Sequence, residues 1–201
     1  MKLRLLVVLA YVFSLNACIA INIKMEGTYS ALTPEQKLHI KKFMPGQSLH
    51  DTSSAFTLYE LMPGQLREEA AGDGYTCYFS QVPHCHGPHC KPLTYYSKLL
   101  ASLDSLHVQM LLVSPYYEYD IMQKEKERFT YNGLMCVEDK DACEGHNFNS
   151  HKLFIEQLLG HPVRGKDVLC YATYYVFRHD SLMSYGLNQM DAVNYIRQHQ
   201  Q

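Results

Sequence analysis

Apolar and polar side chains alternate over residues 55–61 (Ala-Phe-Thr-Leu-Tyr-Glu-Leu), the spacing of a half-buried strand. Residues 65–71 predict a short helix, closed by Gly72-Asp73-Gly74. Residues 75–80 then read as a buried strand, and a loop rich in Pro, His, Cys and Gly follows over 82–91. Pro92 opens a helix to about Leu103, with Tyr95, Leu99 and Leu103 on one face. Residues 107–113 are almost continuously apolar, as an inner strand of a parallel sheet is. The span 75–113 therefore predicts a βαβ unit with a right-handed crossover.

The remaining pattern completes an α/β order. Residues 119–128 predict a partly exposed helix rich in Lys and Glu. Residues 130–149 look irregular, apart from a short strand at Leu134-Met135-Cys136-Val137. Ser150 caps a helix to Leu159, with Gly160 just past its end. Residues 168–177 alternate, turn through Arg178-His179-Asp180-Ser181 and return over 182–185, an antiparallel hairpin. Asn188 caps a last helix through Ile196. Near the start, Thr33-Pro34-Glu35-Gln36 is a capping box with Pro in the first turn, and the helix it opens is expected to reach about Phe43. The fold class expected is α/β, a central mixed sheet flanked by helices with an N-terminal extension.

The first residues read as a sorting signal. Lys2 and Arg4 precede an apolar run over residues 5–15 that is too short to span a bilayer, which needs about 20 residues. This is the pattern of a secretory signal peptide; an uncleaved anchor is the alternative. One cut falls after Ala20 and another before Cys18. Leu15-Asn16-Ala17-Cys18 resembles a bacterial lipobox, which implies that Cys18 is acylated and anchors the chain to a membrane. The expected organisation is a signal peptide over 1–17, a tether and lead-in helix over 18–52, and one domain over 53–201. The location expected is the bacterial cell envelope, lipid-anchored, with simple secretion as the alternative.

Composition narrows the classes. An apolar fraction of 47% excludes a disordered chain. A net charge of −2 leaves no electrostatic footprint for nucleic acid. Seven cysteines, at 18, 77, 85, 90, 136, 143 and 170, leave six once Cys18 is acylated or removed. Six can pair in an oxidising compartment, in 15 ways that sequence does not distinguish. Cys136 and Cys143 are candidates for a loop-stapling disulfide, and Cys77 and Cys170 are candidates either for a second bond or for two buried thiols. His151 and His161 are expected to be solvated, and Glu138-Asp139-Lys140-Asp141 to be a charged loop without the spacing of a calcium site.

The informative segment is Pro83-His84-Cys85-His86-Gly87-Pro88-His89-Cys90-Lys91-Pro92. It follows a buried strand and precedes a helix, where a helix N-terminus lowers the pKa of a nearby thiol. Gly87-Pro88 and Cys90-Lys91 resemble the Cys-Gly-Pro-Cys-Lys motif with its first cysteine displaced outward. With the element order, this makes the chain similar to divergent thioredoxin-like (redoxin-domain) bacterial envelope lipoproteins over roughly residues 53–197. The resemblance implies thiol–disulfide exchange with a protein partner, with Cys85 as the outer, attacking thiol and Cys90 as the resolving one. It departs in spacing, since four residues separate the pair where the family has two. His84 stands where the family has Trp, and the family's cis-proline before the final hairpin has only Pro162 near it. Two other readings stay open. His84, Cys85, His86, His89 and Cys90 are ligand types suited to copper or zinc, as in the thioredoxin-like Sco copper chaperones. A structural disulfide in a non-catalytic binding or scaffold domain is the third.

Overall fold

The computed structural model describes residues 27–51, 53, 55–83, 85, 90–142, 148–164 and 167–200. Among these residues seven strands form one sheet: β1 (Ile40–Lys42), β2 (Leu58–Leu61), β3 (Thr76–Ser80), β4 (Gln109–Ser114), β5 (Met135–Glu138), β6 (Tyr174–Arg178) and β7 (Ser181–Gly186). Their order across the sheet is β1-β2-β5-β4-β3-β6-β7. The first five run parallel; β6 is antiparallel to β3, and β7 to β6. Among the described residues six α-helices accompany them: α1 (Pro34–Leu38), α2 (Pro63–Ala70), α3 (Leu93–Asp104), α4 (Tyr119–Phe129), α5 (Phe148–Leu159) and α6 (Met190–His199).

Successive side chains of a strand point to opposite faces, and both faces of this sheet are covered. On one face, Cys77 and Phe79 of β3 and Met110 and Leu112 of β4 meet Leu93, Tyr96, Leu99 and Leu103 of α3 and Val193 and Ile196 of α6. On the other, Tyr78, Leu111, Val113 and Tyr175 meet Leu66 and Ala70 of α2 and Phe154, Ile155 and Leu158 of α5. The central strands are apolar without alternation because neither face sees water. Burying a Leu or Phe side chain contributes roughly 1.5–3 kcal/mol. Five buried side chains therefore hold α3 more firmly than any cap could, at about 1 kcal/mol. That matters because Pro92, at its cap position, makes no side-chain capping bond.

Two predicted elements changed character. The Thr33 capping box forms, with the Thr33 hydroxyl accepting from the Gln36 amide at 3.2 Å and the Gln36 side chain accepting from the Thr33 amide at 2.8 Å. The helix nevertheless stops at Leu38 rather than near Phe43, and residues 40–42 become the edge strand β1. Tertiary contacts override local propensity there: Phe43 is fully buried, and Lys42 Nζ reaches Glu60 at 2.7 Å and Asp139 at 2.5 Å. The sheet thus takes in part of the expected lead-in segment. At the other end, Val168–Cys170 is a 3-10 turn, not the start of a strand. The Asp167 side chain accepts from the Leu169 amide at 3.2 Å and its carbonyl from the Cys170 amide at 3.0 Å, which curls the chain before β6 begins at Tyr174.

That turn also decides the cysteines. Cys77 lies in the core on the α3 face and Cys170 in the core on the α5 face, and both are free thiols. The sheet stands between them, so the Cys77–Cys170 bond considered from sequence is not formed. Cys136 is likewise a free thiol, fully buried in β5 on the α5 face, so it is not stapled to Cys143, which lies outside the described residues.

Gly133 precedes β5 against the ring of Tyr131, which is 1% exposed. A Cβ at 133 would sit 2.5 Å from Tyr131 Cζ, inside van der Waals contact. Gly133→Ala is expected to destabilise the protein by about 1–3 kcal/mol through overpacking, read as a lowered urea midpoint; an unchanged midpoint would show that Tyr131 yields freely.

Candidate redox site at the turn from β3 to α3

The loop after β3 is anchored on both sides of the strand. The Ser80 amide donates to the Thr173 carbonyl at 3.0 Å, and the Gln81 amide donates to the Val113 carbonyl at 2.9 Å. The Tyr96 hydroxyl of α3 donates to the Ser80 carbonyl at 3.4 Å. Pro83 and Leu93, buried on either side of the loop, hold its two ends against the core. Within it the Cys85 amide donates to the Val82 carbonyl at 3.1 Å, closing a turn. Cys90 comes two residues before Pro92, and the Tyr95 amide donates to the Pro92 carbonyl at 2.9 Å as α3 begins.

Cys85 and Cys90 are joined in a disulfide, with their Cα atoms 5.7 Å apart. Both are half-buried. The first N–H groups of a helix lack an acceptor one turn back, and in the first turn of α3 the Tyr95 amide is taken by the Pro92 carbonyl. Their partial positive charge stabilises a thiolate released there.

A strand, a disulfide-bearing turn, a crossover helix and a parallel neighbour are followed, on the same sheet, by an antiparallel hairpin and a closing helix. The fold is thioredoxin-like. No family model matches this sequence, and no curated protein matches it. Among solved structures, the thioredoxin-like chain is similar to the thioredoxin domain of a thiol-disulfide oxidoreductase from Bacteroides vulgatus, at 14% identity and a TM-score of 0.43 over 64% of this chain and 80% of that one. It is similar to a thioredoxin-like protein from Bacteroides caccae at 13% identity and a TM-score of 0.40, over 64% of this chain and 41% of that one. It is also similar to BsSco, a member of the Sco family of cytochrome c oxidase assembly proteins, at 14% identity and a TM-score of 0.39, over 65% and 82%.

The other cysteines are chemically quiet. Burial pushes the thiols of Cys77, Cys136 and Cys170 up, so little thiolate forms. Cys18, His84, His86 and His89 lie outside the described residues. Among the described residues no group of three or more His, Cys, Asp or Glu is arranged to hold a metal ion. A copper or zinc site and the disulfide would draw on the same two sulfurs, so they are alternative states of the pair. The residue before β6 is Thr173, and every peptide bond among the described residues is trans. Pro162 stands exposed beyond α5.

Sequence reasoning missed the polar groups around this end of the sheet. Gln81 is 4% exposed, and its Nε2 donates to Glu125 Oε2 of α4 at 3.2 Å. Burial pushes the Glu125 carboxyl up, while the Gln81 bond holds it down. Glu125 sits in a Lys/Glu-rich stretch that reads as solvated, so the sequence carries no signal for it. The supposed charged loop is also partly buried. Glu138 and Asp139 are 5% and 2% exposed, at the same end of the sheet as the disulfide. His151, expected to be solvated, meets Glu138 with its Nδ1 at 2.5 Å, and the Tyr78 hydroxyl donates to the same carboxylate at 3.1 Å. His161 is exposed, as expected.

Burial opposes charge on His151, but the field of the Glu138 carboxylate and its hydrogen bond outweigh burial and raise the imidazole pKa above 6.5. A raised folded-state pKa means that the folded protein holds this proton more tightly than the unfolded chain. The stabilisation is complete below pH 6.5 and is lost as pH rises through the higher folded value. Urea midpoints are therefore expected to fall from about pH 6 to about pH 8, and His151→Gln to flatten that slope. An equal slope in the variant would contradict the pairing.

Proposed function

We propose that this protein is an envelope thioredoxin-like protein that exchanges its Cys85–Cys90 disulfide with the thiols of a partner protein. The observation that carries this reading is a half-buried disulfide at the turn into α3, while the three other described cysteines are buried free thiols. Among the described cysteines, the pair at the turn alone presents sulfur to a partner.

The chemistry follows from the arrangement. A partner thiolate attacks Cys85 Sγ, forming a mixed disulfide. The Cys85–Cys90 bond breaks, and its electron pair stays on Cys90 Sγ beside the N-terminus of α3, which stabilises the thiolate that leaves. A second partner thiol then attacks the partner's sulfur in the mixed bond and releases Cys85. The partner is oxidised to a disulfide; Cys85 and Cys90 gain two electrons and take up the two protons the partner thiols give up. Run backwards, the same steps reduce a partner disulfide, with Cys85 attacking and Cys90 resolving.

The envelope assignment rests on the basic start, the short apolar run and the lipobox-like Leu15-Asn16-Ala17-Cys18. An oxidising compartment is where a disulfide persists. No helix among the described residues is long and apolar enough to cross a membrane. In this reading a lipid on Cys18 supplies the attachment.

Titration of the pair against glutathione or dithiothreitol buffers is expected to give a potential between about −270 and −120 mV, the range of exchange proteins; a value well below about −300 mV would mark a structural staple and overturn the reading. In cells, Cys18→Ala is expected to release the protein from the membrane fraction; unchanged association would contradict acylation at that residue.

A further inference from the structure

The two edges of the sheet differ. β1 is three residues long and carries Lys41 and Lys42, a common way to keep a sheet edge from pairing. β7 is six residues long, and from 181 to 190 no residue is charged. Among the described residues no strand pairs with its outer edge. Met183, Tyr185, Leu187 and Met190 line this edge and the turn after it, each 38–42% exposed.

The edge ends beside the disulfide loop. Phe79 pairs with Tyr174, and Tyr174 pairs with Gly186. One step further, the Ser80 amide donates to the Thr173 carbonyl, and the Thr173 amide donates to the Gly186 carbonyl at 2.8 Å. Two inter-strand spacings, about 10 Å, thus separate this end of β7 from the point where β3 turns into the loop. A register shift between Val176 and Phe177 falls toward the hairpin end. Residues 184–186 keep a regular register.

Building on the exchange reaction above, we infer that the free edge of β7 over residues 183–186, with the turn that follows it to Met190, receives an extended, uncharged segment of the polypeptide whose cysteine reacts at Cys85–Cys90. Backbone pairing to an open edge supplies affinity, and the side chains beside it supply selectivity. A charged residue laid against Met183 and Tyr185 would lose water and find no counter-charge in the 181–190 stretch. The partner class is therefore a cysteine-bearing polypeptide with apolar or neutral polar flanks. A second copy fits less well. Antiparallel self-pairing would set the irregular half of one β7 against the regular half of the other.

The test uses the full chain and a fluorescent peptide of about ten residues built from Val, Tyr, Ser and Leu, with Ser in place of its cysteine. Anisotropy is expected to show saturable binding, about tenfold weaker for the same peptide with two Lys substitutions. Met183→Lys with Tyr185→Lys, in protein of unchanged circular dichroism, is expected to weaken binding by a similar factor. No saturable binding, equal binding of the two peptides, or equal binding by the folded variant would overturn the inference. So would a dimer in solution that the same substitutions dissociate, which would assign the edge to a second copy. If the variant fails to fold, the comparison of the two peptides on the unsubstituted protein decides alone. The probe has no thiol, so its binding is independent of the redox reaction. A disulfide inert to 2-mercaptoethanol would refute exchange without touching this result.

Discussion

The position of β3 is the constraint from which the site follows. It is hydrogen-bonded on both sides, to parallel β4 and antiparallel β6, and its side chains are buried on both faces. A strand held in four directions has one well-defined end. At that end the backbone of Ser80 and Gln81 is tied to β6 and β4, and the loop that leaves it must return to α3, which five buried side chains fix on the sheet. Cys85 and Cys90 lie between these two anchors, so the fold brings them together whatever the loop's own preferences. The chemistry is thus attached to a strand buried on both faces and paired on both sides, while the sulfurs stay half-buried.

The second organising feature is the charge buried at the same end of the sheet. Glu60, Glu138 and Asp139 lie at the ends of β2 and β5, each less than a tenth exposed. Buried carboxylates are tolerated only with partners. Lys42 answers Glu60 and Asp139, His151 answers Glu138, and Tyr117 donates to Glu60 at 2.7 Å. These contacts tie the N-terminal segment and α5 to the sheet. Polar pairing here decides which segments dock, whereas apolar packing decides where the central strands and α3 lie.

The βαβ unit was legible because its signals are local and agree. A buried strand at 75–80, a proline-opened helix and an apolar run at 107–113 all follow from period and composition. The final hairpin and the proximity of Cys85 and Cys90 were legible for the same reason. Residues 40–42 were not. Their sequence continues a helix, and partners distant in sequence draw them into a strand: the β2 backbone, the buried site of Phe43, and Glu60 and Asp139 on Lys42. Cys170 was misplaced because the alternation over 168–177 cannot show that Asp167 would curl the chain. Glu138, Asp139, His151 and Glu125 look solvated in sequence, since burial of a charge depends on partners from other elements. The open edge of β7 needed the strand order, which no local pattern carries.

The central claim is that one accessible disulfide, Cys85–Cys90, coexists with buried thiols in the folded protein. Differential alkylation measures this directly: the native protein is labelled before and after mild reduction, and the sites are mapped by mass spectrometry. No label is expected on Cys85 or Cys90 before reduction and label on both after it, with Cys77, Cys136 and Cys170 modified only on unfolding. Cys85 or Cys90 found bonded to another cysteine, or labelled as free thiols before reduction, would contradict it.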